Sequence, residues 1–346
     1  MSPLTKLISF VSLLLGTTLT ISSNHWMMAW VGLEINTLAI IPLISKSHHP
    51  RAIEATIKYF LTQATASTLI LFSSTINAQF TGQWDLTQLT HPTSCFLLTT
   101  AIAMKLGLVP FHFWFPEVLQ GASTITALLL STMMKFPPIT IFFLTAPSLN
   151  PTLLTTMAIA SAALGGWMGL NQTQIRKILA FSSISHLGWM TIILIYNPKL
   201  TLLTFYLYSL MTATIFLAIA TIKTSKLSTA MTSWAKAPAL NASLMLTLLS
   251  LAGLPPLTGF LPKWLIIQEL TKQEMTAAAT TIAMLSLLGL FFYLRFAYCS
   301  TITLPPNTTS HVKQWHIDKP TNTMVATLTS LSVLLLPVSP MMLTTI

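Results

Sequence analysis

Apolar runs long enough to cross a membrane follow one another almost without pause along these 346 residues. A helix of about 20 apolar residues spans the hydrocarbon core of a bilayer. No water is available there to satisfy backbone N–H and C=O groups, so only helices and closed barrels can cross it. Runs of this length select helices. Eleven are read, near residues 3–22, 25–45, 56–78, 94–116, 121–144, 150–170, 175–196, 200–222, 237–270, 275–298 and 322–343. Charged residues make up 7% of the chain and hydrophobic ones 53%, whereas a soluble domain is about a quarter charged. The fold class expected is therefore all-α, a polytopic membrane protein. The first run, Leu4–Ile21, has no small-residue cleavage site followed by a soluble domain, and equally long runs come after it. It reads as a retained span rather than a signal peptide.

Connections such as Ser22–Asn24 and Asn197–Lys199 are short, which makes neighbouring spans antiparallel hairpins. The longer linkers, Gln79–Thr93, Lys223–Lys236 and Ser300–Thr321, are too small to hold a domain. The net charge of +10 would suggest nucleic acid in a soluble chain, but here the basic residues fall mostly in inter-span loops and report orientation. Lys6, Lys46, Arg51, Lys58, Arg176, Lys177, Lys223, Lys226, Lys236, Arg295, Lys313 and Lys319 lie on the N-terminal side, and only Lys199 and Lys272 on the other. The positive-inside tendency places the N-terminus on the cytoplasm-equivalent side, and an odd span count places Ile346 opposite. Cys95 and Cys299 stand alone, and no nucleotide-binding glycine motif is present.

Against this apolar background four charges stand out. Glu34 lies in Trp26–Ile44, Lys105 in Ser94–Pro116, Lys135 in Gly121–Leu144 and Lys263 in the long run from Ala237 to Leu270. A charge near the bilayer centre costs about 2.5–3.5 kcal/mol on insertion scales and marks ion or proton handling first. Glu34 is about ten residues from either end of its span, roughly 15 Å at helical rise, too deep for its side chain to reach a head group. Its bland alternative is a protonated carboxyl bonded between helices. Lys105 is equally central, its alternative being a snorkelling lysine. If the two pair, moving the carboxylate away changes the proton affinity of the lysine. For Lys135 and Lys263 the alternative is a lysine that caps carbonyls at a helix break.

Such breaks are expected. The ninth span is about 34 residues long and carries Pro255 and Pro256 at its middle; proline removes an amide donor and clashes with the preceding turn. The fourth span holds a related string. Gly107, Leu108, Pro110 and Pro116 align with Gly253, Leu254, Pro256 and Pro262, followed by Glu117 in one copy and Lys263 in the other. Span counting makes the two copies oppositely oriented, as in inverted repeats with discontinuous helices at a transport site; chance is the rival reading. Pro137-Pro138, after Lys135, is a third break candidate. His186, in a serine-rich mid-span stretch, and His112, in the first break motif, suit proton relay or plain hydrogen bonding equally. His25, His48, His49, His91, His311 and His316 fall at span ends or in loops and are expected to be solvated. Gly165 and Gly169 read as close helix packing.

Three strings carry a family resemblance: Met104–Pro116, Lys177–His186 and Gly253–Lys263. Together they resemble the antiporter-like membrane subunits of respiratory complex I, NADH:ubiquinone oxidoreductase, over nearly the whole chain. The resemblance implies an antiporter-like fold of two inverted five-helix units, about 25–144 and 150–298, with a C-terminal helix at 322–343. It implies proton translocation driven by distant NADH oxidation and ubiquinone reduction. Glu34 and Lys105 match the family's charged pair, Lys135 its connecting lysine, Lys263 its terminal lysine, and His112 and His186 its polar axis. NADH, flavin, iron–sulfur clusters and ubiquinone would belong to partner subunits, leaving no cofactor, metal or redox centre in this chain. Expected partners are neighbouring antiporter-like and accessory subunits and lipids such as cardiolipin, with no nucleic acid. Bacterial relatives have three more N-terminal spans, and no long lateral C-terminal helix follows here. The expected location is the mitochondrial inner membrane, N-terminus to the matrix and C-terminus to the intermembrane space. Two rivals stay open, a stand-alone cation/proton antiporter and a scaffold subunit that moves no protons.

Overall fold

The computed structural model describes residues 3–47, 49–233, 237–299 and 323–338. Their regular structure is helical, apart from two isolated backbone bridges, His25 with Asp85 and Gln174 with Lys226. The helices are α1 (Pro3–Ser22), α2 (Trp26–Ile44), α3 (Pro50–Thr81), α4 (Pro92–Leu106), α5 (Trp114–Gly121), α6 (Thr124–Ser131), α7 (Phe136–Thr145) and α8 (Pro151–Gly169). They continue with α9 (Ile175–Ile193), α10 (Pro198–Ile222), α11 (Leu227–Ser233), α12 (Pro238–Ala252), α13 (Phe260–Lys272), α14 (Thr276–Ala297) and α15 (Thr323–Leu334). Among the described residues six helical segments are long and apolar enough to cross a membrane: α1, α2, Thr124–Ser148, α8, α10 and α14. The expected spans near 94–116 and 237–270 are each two helices, so neither half reaches spanning length alone. Linker 300–321, Lys236, His48 and the C-terminus lie outside the described residues.

The chain divides into two compact units, Met1–Ser161 and Ala162–Ile346, with the divide inside α8. Between helices in lipid there is little hydrophobic drive, so close packing and hydrogen bonds must hold them together. In the first unit the Asn36 amide of α2 donates to the Leu13 carbonyl of α1 at 2.9 Å. Tyr59 and Ile70 of α3 are buried with Leu98 of α4 and Phe115 of α5. In the second, Gly165 and Gly169 of α8 pack on Ser185 of α9 and Phe292 of α14. Each unit also ties the start of one helix to a later loop. Trp26 N–H donates to Trp84 O at 3.1 Å and Leu86 N–H to Asn24 O at 2.9 Å. Ile175 N–H donates to Ser225 O at 3.2 Å and Leu227 N–H to Thr173 O at 3.0 Å.

Several boundaries differ from the sequence reading for identifiable reasons. Helix α3 starts six residues earlier than expected, because Pro50 opens it without needing a donor and His49 Nδ1 accepts the Arg51 N–H at 3.3 Å. His25 caps α2 in the same way, accepting from Met27 N–H at 3.2 Å. The linker Lys223–Lys236 contains α11, which begins where Leu227 pairs with Thr173.

The two long breaks share a backbone plan. Helices α4 and α12 both open on proline, both run 15 residues, and both stop at a glycine in the left-handed region, Gly107 with φ 77° and Gly253 with φ 84°. One residue offset carries Pro92 onto Pro238, Gly107 onto Gly253 and the restart Trp114 onto Phe260. The hydrogen bonds follow the same offset. Leu108 N–H reaches back to Ala103 O and Leu254 N–H to Leu249 O; Phe111 N–H bonds Leu108 O and Leu257 N–H bonds Leu254 O. Glycine therefore ends α12, two residues ahead of Pro255, because it takes the left-handed cap without steric cost. The prolines then prevent the helix from resuming at once. The third break lies at Met133–Lys135, a tight turn in which Phe136 N–H bonds Met133 O. Pro137 and Pro138, in the first turn of α7, have no N–H to offer the preceding carbonyls.

A side chain in the left-handed region costs about 1–2 kcal/mol. At Gly253 an added Cβ would also meet Lys263 at 2.9 Å, whereas at Gly82, φ 71°, it meets nothing within 4 Å. Gly253→Ala is expected to lower the thermal unfolding midpoint more than Gly82→Ala, measured by scanning fluorimetry on the assembled protein.

Candidate functional site

The first unit gathers four of the sequence-selected residues. Glu34 is set by α2, Lys105 by the last turn of α4, His112 by the loop of the first break and Lys135 by the turn between α6 and α7. Lys105, Lys135 and His112 are 5%, 2% and 1% exposed, so none is snorkelling to a surface of this fold. Glu34 is half-buried, with its Oε2 enclosed. Neither that oxygen nor Lys105 Nζ has a hydrogen-bond partner. Ion pairs within 4 Å among the described residues join Lys58 to Glu54, Lys58 to Glu117 and Lys272 to Glu269, and none includes Glu34 or Lys105. Glu34 is nevertheless close enough to act electrostatically on both Lys105 and Tyr59. Lys135 Nζ stands 4.6 Å from the centre of the Phe115 ring, in cation–π contact. The His112 ring lies 4.2 Å from that of Phe113.

Three residues of this neighbourhood escaped the sequence reading, and two of them come from α3. Gln63 Nε2 donates to the carbonyl of Lys105 at 3.4 Å. Trp114 Nε1 donates to Met104 O at 3.1 Å, and its ring meets the edge of Tyr59 at 5.8 Å. The available signals were a lone amide inside an apolar run and a Tyr59–Gln63 spacing that puts both on one helix face.

In the second unit the break is held differently. Lys263, in the first turn of α13, reaches back to donate to Ala252 O at 2.7 Å. It lies over Gly253 and 5.9 Å from the Trp189 ring. The capping alternative raised from the sequence is thus realised for this lysine. An ammonium has three donors, so one carbonyl does not exhaust it. Gly259 meets the Ser250 carbonyl so closely that a Cβ would overlap it, and Thr258 Oγ1 donates to Ser332 O of α15. Lys263 and His186 together line two cavities, each about 330 Å³ counting its mouth. One also carries Ser185, Ser286 and Tyr293, the other Thr204 and Tyr208. The His186 ring is 5.5 Å from that of Tyr208. In both cavities these hydroxyl groups, which can pass or accept a proton, stand in a largely apolar wall. Among the described residues no cluster of His, Cys, Asp or Glu is placed to hold a metal.

Residues 23–289 match the family described as NADH:quinone oxidoreductase/Mrp antiporter, TM, and residues 290–343 the NADH dehydrogenase subunit 2 C-terminus. The chain is 77% identical over 343 residues to NADH-ubiquinone oxidoreductase chain 2 of Struthio camelus, with 99% of each chain covered. To the Gallus gallus protein of the same name it is 73% identical over 344 residues, again with 99% of each covered. Among solved structures it is similar to a chain of respiratory complex I from Thermus thermophilus with bound aureothin. The TM-score is 0.83 at 25% identity, covering 97% of this chain and 80% of that one. The Mrp complex from Dietzia sp. DQ12-45-1b shares the fold, with TM-score 0.77 at 20% identity over 85% of this chain and 60% of that one.

If Lys263 only capped the break, any donor of similar reach would replace it. Lys263→Met leaves the Ala252 carbonyl unpaired, at a cost of about 1–3 kcal/mol. It is expected to lower the unfolding midpoint, while Lys263→Arg preserves stability. Loss of proton translocation in a stable Lys263→Arg variant, read in vesicles, would separate proton handling from capping.

Proposed function

Since the chain belongs to the NADH:quinone oxidoreductase/Mrp antiporter family, we propose that Glu34, Lys105, Lys135, Lys263, His112 and His186 carry its protons. The chain is a membrane-arm subunit of complex I, the proton-translocating NADH:ubiquinone oxidoreductase, in the mitochondrial inner membrane. NADH, flavin, iron–sulfur clusters and ubiquinone belong to other subunits of that complex, which also supplies its membrane-arm partners.

The observation that carries the proposal is the state of Glu34 and Lys105. Each buries a polar atom without a hydrogen-bond partner, and Glu34 acts electrostatically on Lys105 without forming an ion pair within 4 Å. Leaving a charge buried and unpaired is costly, and bringing the two together relieves both. A small movement of α2 against α4 therefore changes the proton affinity of the lysine. Lys135, buried against Phe115, is the next acceptor in the first unit. In the second, Lys263 and His186 line the same two cavities, each of which also carries hydroxyl groups. Moving one charge against 100 mV costs about 2.3 kcal/mol. That energy comes by coupling from subunits where NADH is oxidised and ubiquinone reduced.

We further read residues 25–144 and 150–298 as two copies of one plan. The shared offset at the two breaks and the paired loop clasps support this. The basic loops support an N-terminus facing the matrix. Ser225→Cys, between Lys223 and Lys226, is then expected to react with an impermeant thiol reagent only when the matrix face is open. Labelling of sealed mitoplasts agrees or disagrees, according to whether permeabilisation is required.

Lys135→Leu removes a cation buried against the Phe115 ring and keeps an apolar side chain of similar bulk there. It is expected to assemble and to reduce protons moved per electron, measured with reconstituted complex in vesicles. Unchanged stoichiometry in a fully assembled variant would favour the scaffold reading.

A further inference from the structure

We propose that α3 splints the first helix break and that Gln63 is a positioning residue for Lys105. This rests on the proton-carrying reading above. Three neighbouring residues of α3 touch both halves of the broken span. Gln63 bonds the carbonyl of Lys105 at the end of α4. Tyr59 packs on Trp114, the first residue of α5. Lys58 pairs with Glu117, three residues further on, at 2.5 Å. Gln63 and Tyr59 are one helical turn apart and are 4% and 1% exposed.

The need for such a splint follows from the break itself. The last four carbonyls of a helix lack intrahelical partners, and together they form the negative end of the helix dipole. Lys105 sits in that turn, so an unsatisfied carbonyl beside it would hold its ammonium in the charged form. The two breaks answer this differently. At the second, a lysine supplies the donor, Lys263 to Ala252 O. At the first, neutral groups do: the Gln63 amide takes the carbonyl of Lys105 and the Trp114 indole takes that of Met104. Lys105 Nζ is thereby released from capping and has no hydrogen-bond partner of its own. The ionisable side chain acting on it is Glu34 on α2, which acts on Tyr59 of α3 as well. Lys58 serves the splint at an exposed site with Glu54 and Glu117. Gln63 thus sets the electrostatic surroundings of the lysine without touching the proton in transit.

The test uses assembled complex I in vesicles, with Gln63→Met (similar volume, no donor) and Gln63→Asn (neutral amide donor retained). Gln63→Met is expected to assemble and to move the pH profile of proton translocation by about one unit toward higher pH. Gln63→Asn is expected to return the profile toward that of the parent. An assembled Gln63→Met with the parental profile and stoichiometry overturns the positioning role. Should Gln63→Met fail to assemble, Gln63→Leu removes the same donor with a different apolar side chain, and a parental profile there overturns it equally. Lys135→Leu run in parallel separates the two ideas. If its stoichiometry is normal, the proton-carrying reading fails; if that falls while Gln63→Met stays parental, only the positioning role does.

Discussion

Backbone carbonyls at membrane depth must find donors inside the protein, and the helix breaks of this chain are where that requirement is hardest to meet. At Gly107 and Gly253 the turn satisfies what it can by bonding back into the last helical turn. The remaining carbonyls recruit side chains from elsewhere. Gln63 and Trp114 serve one break, and Lys263 serves the other. Lys105, Lys263, the α3 packing and the cavities of the second unit are arranged around these two points.

This explains why similar strings carry different chemistry. Glu117 and Lys263 occupy matching places after their breaks. Glu117 turns outward to Lys58, half-exposed, where an ion pair contributes little. Lys263 turns inward to a carbonyl and two cavities. In the first unit the cation is instead carried two residues before the break, at Lys105, and left without a hydrogen-bonding partner. The same backbone device thus supports one lysine that is anchored and one that is free to respond to a nearby carboxylate.

Much of the fold was legible because its signals are local. Apolar length marked the spans, and glycine and proline marked the breaks. The misreadings were also local, and each has a cause. Proline drew attention away from Gly253, although a left-handed cap stops a helix before a missing donor does. Histidine is not a favoured N-cap, so the caps at His25 and His49 were passed over as solvated residues. Helix α11 depends on a pairing with the distant Thr173, which no window of sequence contains. Gln63, Tyr59 and Trp114 were passed over because an uncharged residue in an apolar run gives no local sign of its partner.

By itself the sequence determined an all-helical membrane chain with two broken spans and with ionisable residues at Glu34, Lys105, Lys135 and Lys263. The cost of placing charge and unpaired backbone in hydrocarbon leaves few alternatives. Only the tertiary structure decided what each charge does. Whether a lysine caps a carbonyl, faces an aromatic ring or stands apart from a carboxylate depends on ångström distances between helices far apart in the chain. Those distances come from packing, in which the apolar residues of α3 count as much as the charges themselves.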